Sequence, residues 1–422
     1  MSVAYLDNNA TTLMPDEVVR EMTHWVNAGN PSSSYQSAKR CQDMMSEFRA
    51  FIAQQLGISL DQYAIIFTSG ATEANNMICR GIIEQARETG REFYVVTSAI
   101  EHKSILLLLH DMQRRIPAMH LIEVRPEIGG RVSAETILSI VRECHPILVT
   151  CMFANNETGA INDVAQIGTA IKQQYRSAFF HCDIVQGFGK VPINLRGAKI
   201  DGASISFHKL HGPAGVGAAI ISRDFTHGFP PLLYGTQSDG MRGGTENIIG
   251  IGTAFAASRL VFAHLRETIS HELALKSRVI SRFREQGIPV RHLAEYIANG
   301  PQAQVEIVVI ADELPRANVS RYLPGTLMIS AAKHNGPAAC NTLIKSVLEK
   351  ARVIVSIGSA CNTASKERSH VLTAMGANNI IMDGSIRASF SMFTTADEID
   401  RFVAGFMTEF RRQYTITENA RK

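Results

Sequence analysis

The sequence has few charges and no long apolar run. Charged residues make up 19% of its 422 residues, and the formal net charge is only +3. So small a charge does not indicate a nucleic acid or a membrane surface as partner. The most apolar short stretch, residues 105–109, is far below the roughly 20 residues that a membrane-spanning helix needs. We therefore predict a soluble, cytoplasmic protein without a membrane anchor.

Cysteine pairs at metal-binding spacing are also missing. The seven cysteines form an odd set without a CxxC motif, which suits a reducing compartment better than a disulfide framework. Cys144 with His145 and His181 with Cys182 contain residue types that bind zinc. Neighbours on a strand point to opposite faces and cannot grip one ion, so we predict no metal site.

Short apolar runs instead alternate with longer segments of helical period. The predicted strands are 64–68, 93–97, 147–153, 178–182, 202–206 and 216–221, and the predicted helices are 72–88, 133–142 and 161–175. This alternation is typical of an α/β domain with a largely parallel central sheet, covered on both faces. From about residue 250 the character changes. A long charged helical run at 251–285 leads into a smaller α+β domain, with a boundary near residue 260.

Polar residues gather where the predicted strands end, which is where open α/β sheets bind their ligands. Residues 65–76, IIFTSGATEANN, predict a strand, a Ser-Gly turn and a helix that begins near Thr72. Exposed amides at a helix start, beside a small hydroxyl residue, form a site suited to phosphate. The alternative is an ordinary N-capped helix after a tight turn.

Two further strand ends carry candidate ligand-binding side chains. His102, in EHKS at 101–104, could stack on a flat ring or relay protons, or it could be an ordinary loop histidine. Asn156, in ANNETG at 154–159, could orient a ligand by hydrogen bonds, although the same motif also suits a plain turn.

Asp183 closes an apolar strand in the segment 179–190, FFHCDIVQGFGK. A carboxylate in that setting is costly unless a cation faces it, and a protonated pyridine nitrogen would be such a cation. Gln186, three residues later, could reach an oxygen on the same ring. A nearby arginine or lysine could equally be the partner of Asp183.

Lys209 follows another predicted strand within residues 204–217, SISFHKLHGPAGVG. A lysine at a sheet edge in a partly dry pocket loses its proton more readily, as a lysine that forms a Schiff base must. Most lysines are surface charges. The surrounding glycines and the two flanking apolar strands favour the functional interpretation here.

Two C-terminal motifs carry a nucleophile and a cation. Cys361 lies in a run of small residues at 356–365, SIGSACNTAS, which is typical of an accessible loop rather than a core. Arg387, in GSIRASFS at 384–391, could bind a carboxylate through its guanidinium fork.

Together these motifs resemble the class V aminotransferase-like pyridoxal-phosphate enzymes, and within them the cysteine desulfurases of the nitrogen-fixation and iron-sulfur-cluster type. The similarity runs nearly end to end. It also includes YLDNNATT at 5–12, GNPSS at 29–33, GTQSDGMRGGTEN at 235–247 and FTTADEID at 393–400. So many ordered matches carry far more weight than any single motif.

The resemblance implies a fold type I enzyme with pyridoxal 5'-phosphate held covalently by Lys209. Asp183 is then the partner of the ring nitrogen, His102 stacks on the ring and Gln186 contacts the ring oxygen. The implied phosphate ligands are Ala71, Thr72, Ser206 and His208. The implied domains are residues 16–260 for the cofactor and residues 1–15 with 261–422 for the smaller domain.

The resemblance further implies a homodimer, in which Thr245 reaches the phosphate bound by the neighbouring subunit. Asn156 contacts cofactor and substrate, and Arg387 holds the carboxylate of L-cysteine. Cys361 takes the sulfur as a persulfide, alanine is released, and a sulfur-acceptor protein of unknown identity receives the sulfur.

Two positions depart from the family pattern. Phe207 stands where a small residue is usual, and Gly325 stands where asparagine is common.

Three other functions compete with that of a cysteine desulfurase. Selenocysteine lyase is a sister activity whose motifs NPSSSY, NNETG and GTEN also match. A non-catalytic protein could keep the fold as a binding platform, but it would not need Lys209, Asp183, His102, Arg387 and Cys361 together. An ordinary transaminase or lyase of the same class would not need Cys361 for its activity.

Overall fold

The computed structural model describes residues 2–303, 305–311, 321–333, 339–357 and 368–419. Its strands are β1 Ala4–Tyr5, β2 Tyr63–Thr68, β3 Phe93–Ser98, β4 Met119–Val124, β5 Leu148–Thr150, β6 Phe179–Asp183, β7 Gly202–Ser206, β8 Gly217–Ser222, β9 Val290–His292, β10 Val305–Ile310, β11 Thr326–Lys333, β12 Val353–Ile354 and β13 Ser385–Ser389. Its helices are α1 Asp16–Trp25, α2 Gln36–Gln55, α3 Ala71–Arg87, α4 Lys103–Arg115, α5 Ala134–Cys144, α6 Val164–Gln174, α7 Ile248–Ala263, α8 Leu265–Glu285, α9 Leu293–Asn299, α10 Asn341–Lys350, α11 His370–Ala374, α12 Asn379–Asp383 and α13 Ala396–Asn419.

The central sheet has seven strands in the order β2-β8-β7-β6-β5-β3-β4. The pairs from β7 through β6, β5 and β3 to β4 are parallel. β8 runs antiparallel to both of its neighbours. The predicted α/β class and largely parallel sheet are therefore confirmed, with an antiparallel segment at one side.

Both faces of this sheet are covered, which explains why its strands are apolar nearly throughout. One face packs under α3 and α4, in a core that includes Ile66, Ile78 and Phe179. The other face packs against α2, α6 and α7, in a core that includes Phe48 and Phe180. All residues of β6 and β7 are buried, so their carboxyl ends are rigidly placed.

A second sheet of four strands has the order β13-β11-β10-β9. It packs with α8, α10 and α13 in a separate core that includes Ile329, Phe283 and Phe406. The start of the chain joins this core, because Leu6 packs in it and β1 pairs in parallel with β12. The first residues of the chain are thereby fixed beside the C-terminal segments.

The structure corrects three local predictions. The helical run predicted at 251–285 is two helices, α7 and α8, which meet at 70°. The strand predicted at 147–153 is only Leu148–Thr150, and the edge strand β4 was not predicted. The pair Cys144 and His145 lies at the end of α5 rather than on a strand.

No helix in the described ranges is, by itself, long and apolar enough to cross a membrane. Only α7 and α8 taken together, across their bend, reach that length and composition.

Candidate active site

The carboxyl ends of β2, β3, β6 and β7 open into a cavity of about 520 Å³. Ten of the predicted site residues line it: Ala71, Thr72, His102, Asn156, Asp183, Gln186, Ser206, His208, Lys209 and Arg387. Nine of these residues lie at or after the ends of strands of the central sheet, which bring them to one edge, whereas Arg387 comes from β13 of the second sheet.

Lys209 ends a single 3-10 turn, Phe207–Lys209, that directly follows β7. Its Nζ donates to the main-chain oxygens of Asn9 at 2.7 Å and Ala10 at 2.5 Å. The turn is closed by the amide of Gly212, which donates to the oxygen of Phe207 at 3.0 Å. A Cβ at position 212 would lie 2.8 Å from that oxygen, so the sequence needs glycine there.

Phe207, the first departure from the family pattern, is a core residue. It is fully buried, and its ring lies 5.1 Å from the ring of Phe48. The side chain therefore points away from the cavity and leaves Lys209 in place.

Asp183 is the last residue of β6 and is 5% exposed. Its Oδ2 accepts a hydrogen bond from Asn75 Nδ2 at 2.9 Å, and its Oδ1 accepts one from the amide of Val185 at 3.0 Å. No lysine or arginine in the described ranges forms an ion pair with it. Among the described residues, Asp183 therefore does not have the arginine or lysine partner that the sequence allowed.

His102 caps the start of α4. Its Nδ1 accepts a hydrogen bond from the amide of Ser104 at 3.1 Å, so a neutral ring carries its proton on Nε2. Burial lowers the pKa of His102, and nearby Lys209 lowers it further, whereas Asp183 opposes both. The ring is therefore neutral near pH 7 and can present one flat face to a ligand.

The start of α3 has the features of an anion site. Its N-cap, Gly70, has φ +154° and offers no side chain to the first-turn amides of Ala71 and Thr72. A Cβ at Gly70 would lie 3.8 Å from Ser206 Oγ, so a hydroxyl stands beside those amides. The main chains of Gly70 and Gly217 pack closely here, because a Cβ at position 217 would lie 2.6 Å from the main chain of Gly70.

Arg387 lies on β13 and is 1% exposed. Its NH2 group donates to Asp7 Oδ1 at 2.6 Å, and its NH1 group donates to the main-chain oxygen of Asn156 at 2.9 Å. Its buried Nε has no hydrogen-bond partner in the described part of the chain. The guanidinium is thus held rigidly at the cavity wall, and its Nε can still donate a hydrogen bond to a further acceptor.

Gln186 and His208 are held by contacts with the first residues of the chain. Gln186 Nε2 donates to the oxygen of Asn9 at 3.1 Å. His208 Nδ1 lies 3.0 Å from Thr11 Oγ1, and burial lowers the pKa of His208 to about 4, so the ring is neutral.

Thr245 and Cys361 are the remaining two predicted site residues. Thr245 is exposed in the loop before α7 and does not line the cavity. Cys361 lies outside the described residues.

Three important residues were not predicted individually: Asn75, Asn9 and Lys190. Asn75 stands on the buried side of α3, and an amide among apolar residues of a helix is a signal that could have found it. Asn9 carries no local signal, because its side-chain partners Lys190 and Thr326 lie far away in the sequence, and the contact of Lys190 with Asn9 spans 181 residues.

Known proteins resemble this chain in sequence and in fold. Residues 4–311 match the family model described as aminotransferase class-V. The chain belongs to the class-V aminotransferase family.

Its relatives include several named enzymes. A cysteine desulfurase of Trichormus azollae is 33% identical over 96% of this chain and 92% of that protein. The cysteine desulfurase IscS of Methanosarcina thermophila is 33% identical over 94% of this chain and 89% of that protein. Among solved structures, a NifS-like protein from Rickettsia africae is 28% identical, with a TM-score of 0.79 over 97% of this chain and 99% of that chain. The predicted family and fold are confirmed.

Proposed function

We propose that this protein is a cysteine desulfurase that uses pyridoxal 5'-phosphate at the cavity described above. One observation carries the proposal. The amine of Lys209, the buried carboxylate of Asp183 and the uncapped start of α3 all face a single cavity. The aldehyde of this cofactor would react with the amine, its protonated ring nitrogen would pair with the carboxylate, and its phosphate would bind at the start of α3.

The residues present fit the cofactor. Asp183 is buried without a cationic partner in the described residues, and a protonated ring nitrogen supplies that charge. Asn75 Oδ1 is also buried there with no described partner. His102 offers a neutral ring for stacking, and Gln186 stands where it could contact the ring oxygen. The proposed phosphate ligands are Ala71, Thr72, Ser206 and His208.

Arg387 and Asn156 are proposed to hold the substrate. The guanidinium is preoriented by Asp7 and keeps Nε for a further acceptor, such as the carboxylate of L-cysteine. When bound, pyridoxal phosphate withdraws electrons from the substrate carbons and weakens the bond to sulfur. Neutral His102 can accept and return a proton beside that position.

Cys361 is proposed to receive the sulfur. Its thiolate forms a sulfur–sulfur bond while the carbon–sulfur bond of the substrate breaks, and the released carbon takes up a proton. Cysteine and the enzyme thiol thus become alanine and an enzyme persulfide. A sulfur-acceptor protein then removes the terminal sulfur.

We also propose a cytoplasmic homodimer with two domains, residues 16–260 and residues 1–15 with 261–422. The exposed Thr245 would then reach the phosphate site of the other copy. Tyr234, in the same loop region, is 85% exposed, which suits a surface that a second chain covers. The separate core around the second sheet supports the domain division.

The test measures alanine released from L-cysteine by the purified protein with pyridoxal phosphate. We expect release in the wild type and in the control Cys340→Ala, and none in Lys209→Ala or Cys361→Ala. Activity on selenocysteine alone would assign the sister lyase function. Full activity in Cys361→Ser would indicate an ordinary transaminase or lyase, and failure to bind the cofactor would indicate a binding platform.

A further inference from the structure

Ser104, the second residue of α4, lies between two side chains of the proposed cofactor site. Its Oγ is 2.8 Å from His102 Nδ1 and 3.0 Å from Asn75 Nδ2. The same nitrogen of Asn75 is 2.9 Å from Asp183 Oδ2. These side chains therefore form one chain of hydrogen bonds, which runs from the end of β6 to the start of α4.

The carboxylate of Asp183 fixes the direction of every hydrogen bond in this chain. A carboxylate oxygen can only accept, so the atom of Asn75 that faces it is the amide nitrogen. One hydrogen of that nitrogen goes to Asp183, and the other goes to Ser104 Oγ. Asn75 Oδ1 is buried and has no hydrogen-bond partner in the described part of the chain, so the side chain is held through its nitrogen alone.

The hydroxyl hydrogen of Ser104 is then left for His102. The main-chain amide of Ser104 already donates to His102 Nδ1 at 3.1 Å, so that ring nitrogen carries no proton. An unprotonated nitrogen 2.8 Å from Oγ is an acceptor, and the hydroxyl is its donor. Nδ1 therefore accepts two hydrogen bonds from one residue, and the proton of the neutral ring is on Nε2.

Ser104 is itself held in place by α3. Asn76 Nδ2 donates to the main-chain oxygen of Ser104 at 3.3 Å, and the neighbouring Asn75 donates to its hydroxyl. Two successive residues of one helix thus hold both the main chain and the side chain of Ser104. The position of Oγ beside His102 is therefore set by the contact between α3 and α4.

Charged and titratable groups on several elements also act on His102. Burial has the largest effect and lowers the pKa of His102, Lys209, His370 and Lys103 lower it further, and Asp183 raises it. These groups belong to the turn after β7, to α11, to α4 and to β6. None of them donates a hydrogen bond to Nδ1, so the choice between the two ring nitrogens depends on Ser104.

We propose that Ser104 is a positioning residue for His102, whose hydroxyl holds the ring neutral with its proton on Nε2 and joins the ring to Asp183 through Asn75. A hydrogen bond to the neutral form of a base disfavours the charged form. One network then places both the ring that stacks on the cofactor and the carboxylate that pairs with the cofactor nitrogen. The inference rests on the roles proposed for His102 and Asp183.

The test measures the tautomer and the pKa of His102 by NMR, in the full-length, cofactor-free chain with isotope-labelled histidine. The signal of His102 is identified by its loss from His102→Gln. In the wild type we expect a neutral ring that is protonated only on Nε2. In Ser104→Ala, where Nδ1 loses a donor, we expect the pKa of His102 to rise by about half a unit to one unit.

Two further variants complete the design. Ser104→Thr keeps a hydroxyl and should keep the wild-type pKa of His102. Ser37→Ala removes an exposed hydroxyl from the second residue of α2, the same helix position, and should change nothing. With the cofactor bound, the acid limb of the pH profile of alanine release should move upward in Ser104→Ala and stay in place in the other two variants.

A wild-type ring that is neutral and protonated on Nδ1 would overturn the proposal, and this measurement needs no variant. An unchanged pKa in Ser104→Ala would also overturn it, as would an equal rise in Ser104→Ala and Ser104→Thr. If Ser104→Ala does not fold, the wild-type tautomer decides the question. The NMR outcomes do not depend on sulfur transfer, so failure of the proposed function is read separately, as a lack of alanine release.

Discussion

The side chain of Asn75 donates a hydrogen bond of 2.9 Å to the carboxylate of Asp183 inside the cavity. Asn75 belongs to the helix whose start forms the anion site, and Asp183 is the last residue of β6. One contact therefore links the two ends of the proposed cofactor site and fixes the direction in which the carboxylate faces.

Replacing Asn75 by leucine should weaken cofactor binding. The carboxylate of Asp183 would lose a buried donor, which costs about 1 to 3 kcal/mol, and would be free to rotate. We expect the dissociation constant of pyridoxal phosphate, measured by absorbance titration, to rise about ten-fold or more. The control is Asn76→Leu, whose amide donates to the oxygens of Thr72 and Ser104 instead. Equal effects of the two variants would contradict the assigned role of Asn75.

Replacing Arg387 by glutamine should raise the KM for cysteine and also lower stability. The arginine is 1% exposed, and its removal leaves Asp7 without its cation, at a cost of about 3 kcal/mol. Steady-state kinetics and thermal unfolding measure the two effects.

Arg368→Gln is the matched control for that experiment, because Arg368 forms an exposed ion pair with Asp383 at 3.2 Å. Its loss should change stability by less than about 1 kcal/mol and leave KM unchanged. A normal KM in Arg387→Gln would show that another residue holds the substrate carboxylate.

Glu101 should behave as a neutral acid in the native protein. Burial raises its pKa to about 8 from the ordinary value of 4.5. The native state then binds an extra proton between those values, so the stability that Glu101 contributes below pH 4.5 is lost as pH rises through about 8. Glu101→Gln should remove this loss and be no less stable than the wild type at pH 8, by urea unfolding.

Glu101→Ala is the contrasting variant. It leaves the hydroxyl of Ser98 and the amide of Met152 without their acceptor, which should cost about 1 to 3 kcal/mol. If the glutamine variant were as unstable as the alanine variant, Glu101 would have to be charged in the native state.

His181 should make the protein less stable in acid. Burial lowers its pKa to about 3 from 6.5, so the unfolded state binds more protons between those values. The stability contributed by neutral His181 is therefore present above pH 6.5 and is lost as pH falls toward about 3, at up to about 1.4 kcal/mol per pH unit. Urea unfolding of His181→Asn should show a shallower acid slope. The exposed His24→Asn should keep the wild-type slope, and an unchanged slope in both would refute the assignment.

The sequence alone predicts the site residues that are polar and lie at the end of an apolar segment. Asp183 stands out because it is the last residue of a fully buried strand, and Lys209 because it ends the short turn that follows another such strand. A polar residue at such a strand end must lie at the edge of the sheet, whatever the rest of the chain does.

The remaining parts depend on contacts between distant segments. Asn75 and Asp183 are 108 residues apart, and Asn9 and Thr326 are 317 apart, so no local pattern predicts either contact. The bend at His264 was missed because neither glycine nor proline marks it, and because the residues of α7 are nearly all apolar or small, with Arg259 as the one charged side chain. A helix without distinct apolar and polar faces gives no period from which its end could be predicted.

The most direct test of the account is mass spectrometry of the intact, cofactor-loaded protein after exposure to L-cysteine, followed by peptide mapping. We predict an added mass of one sulfur atom on Cys361, removed by a reductant and absent from Lys209→Ala. Alanine formed without any sulfur on Cys361, or sulfur bound to another cysteine in equal amount, would contradict the account.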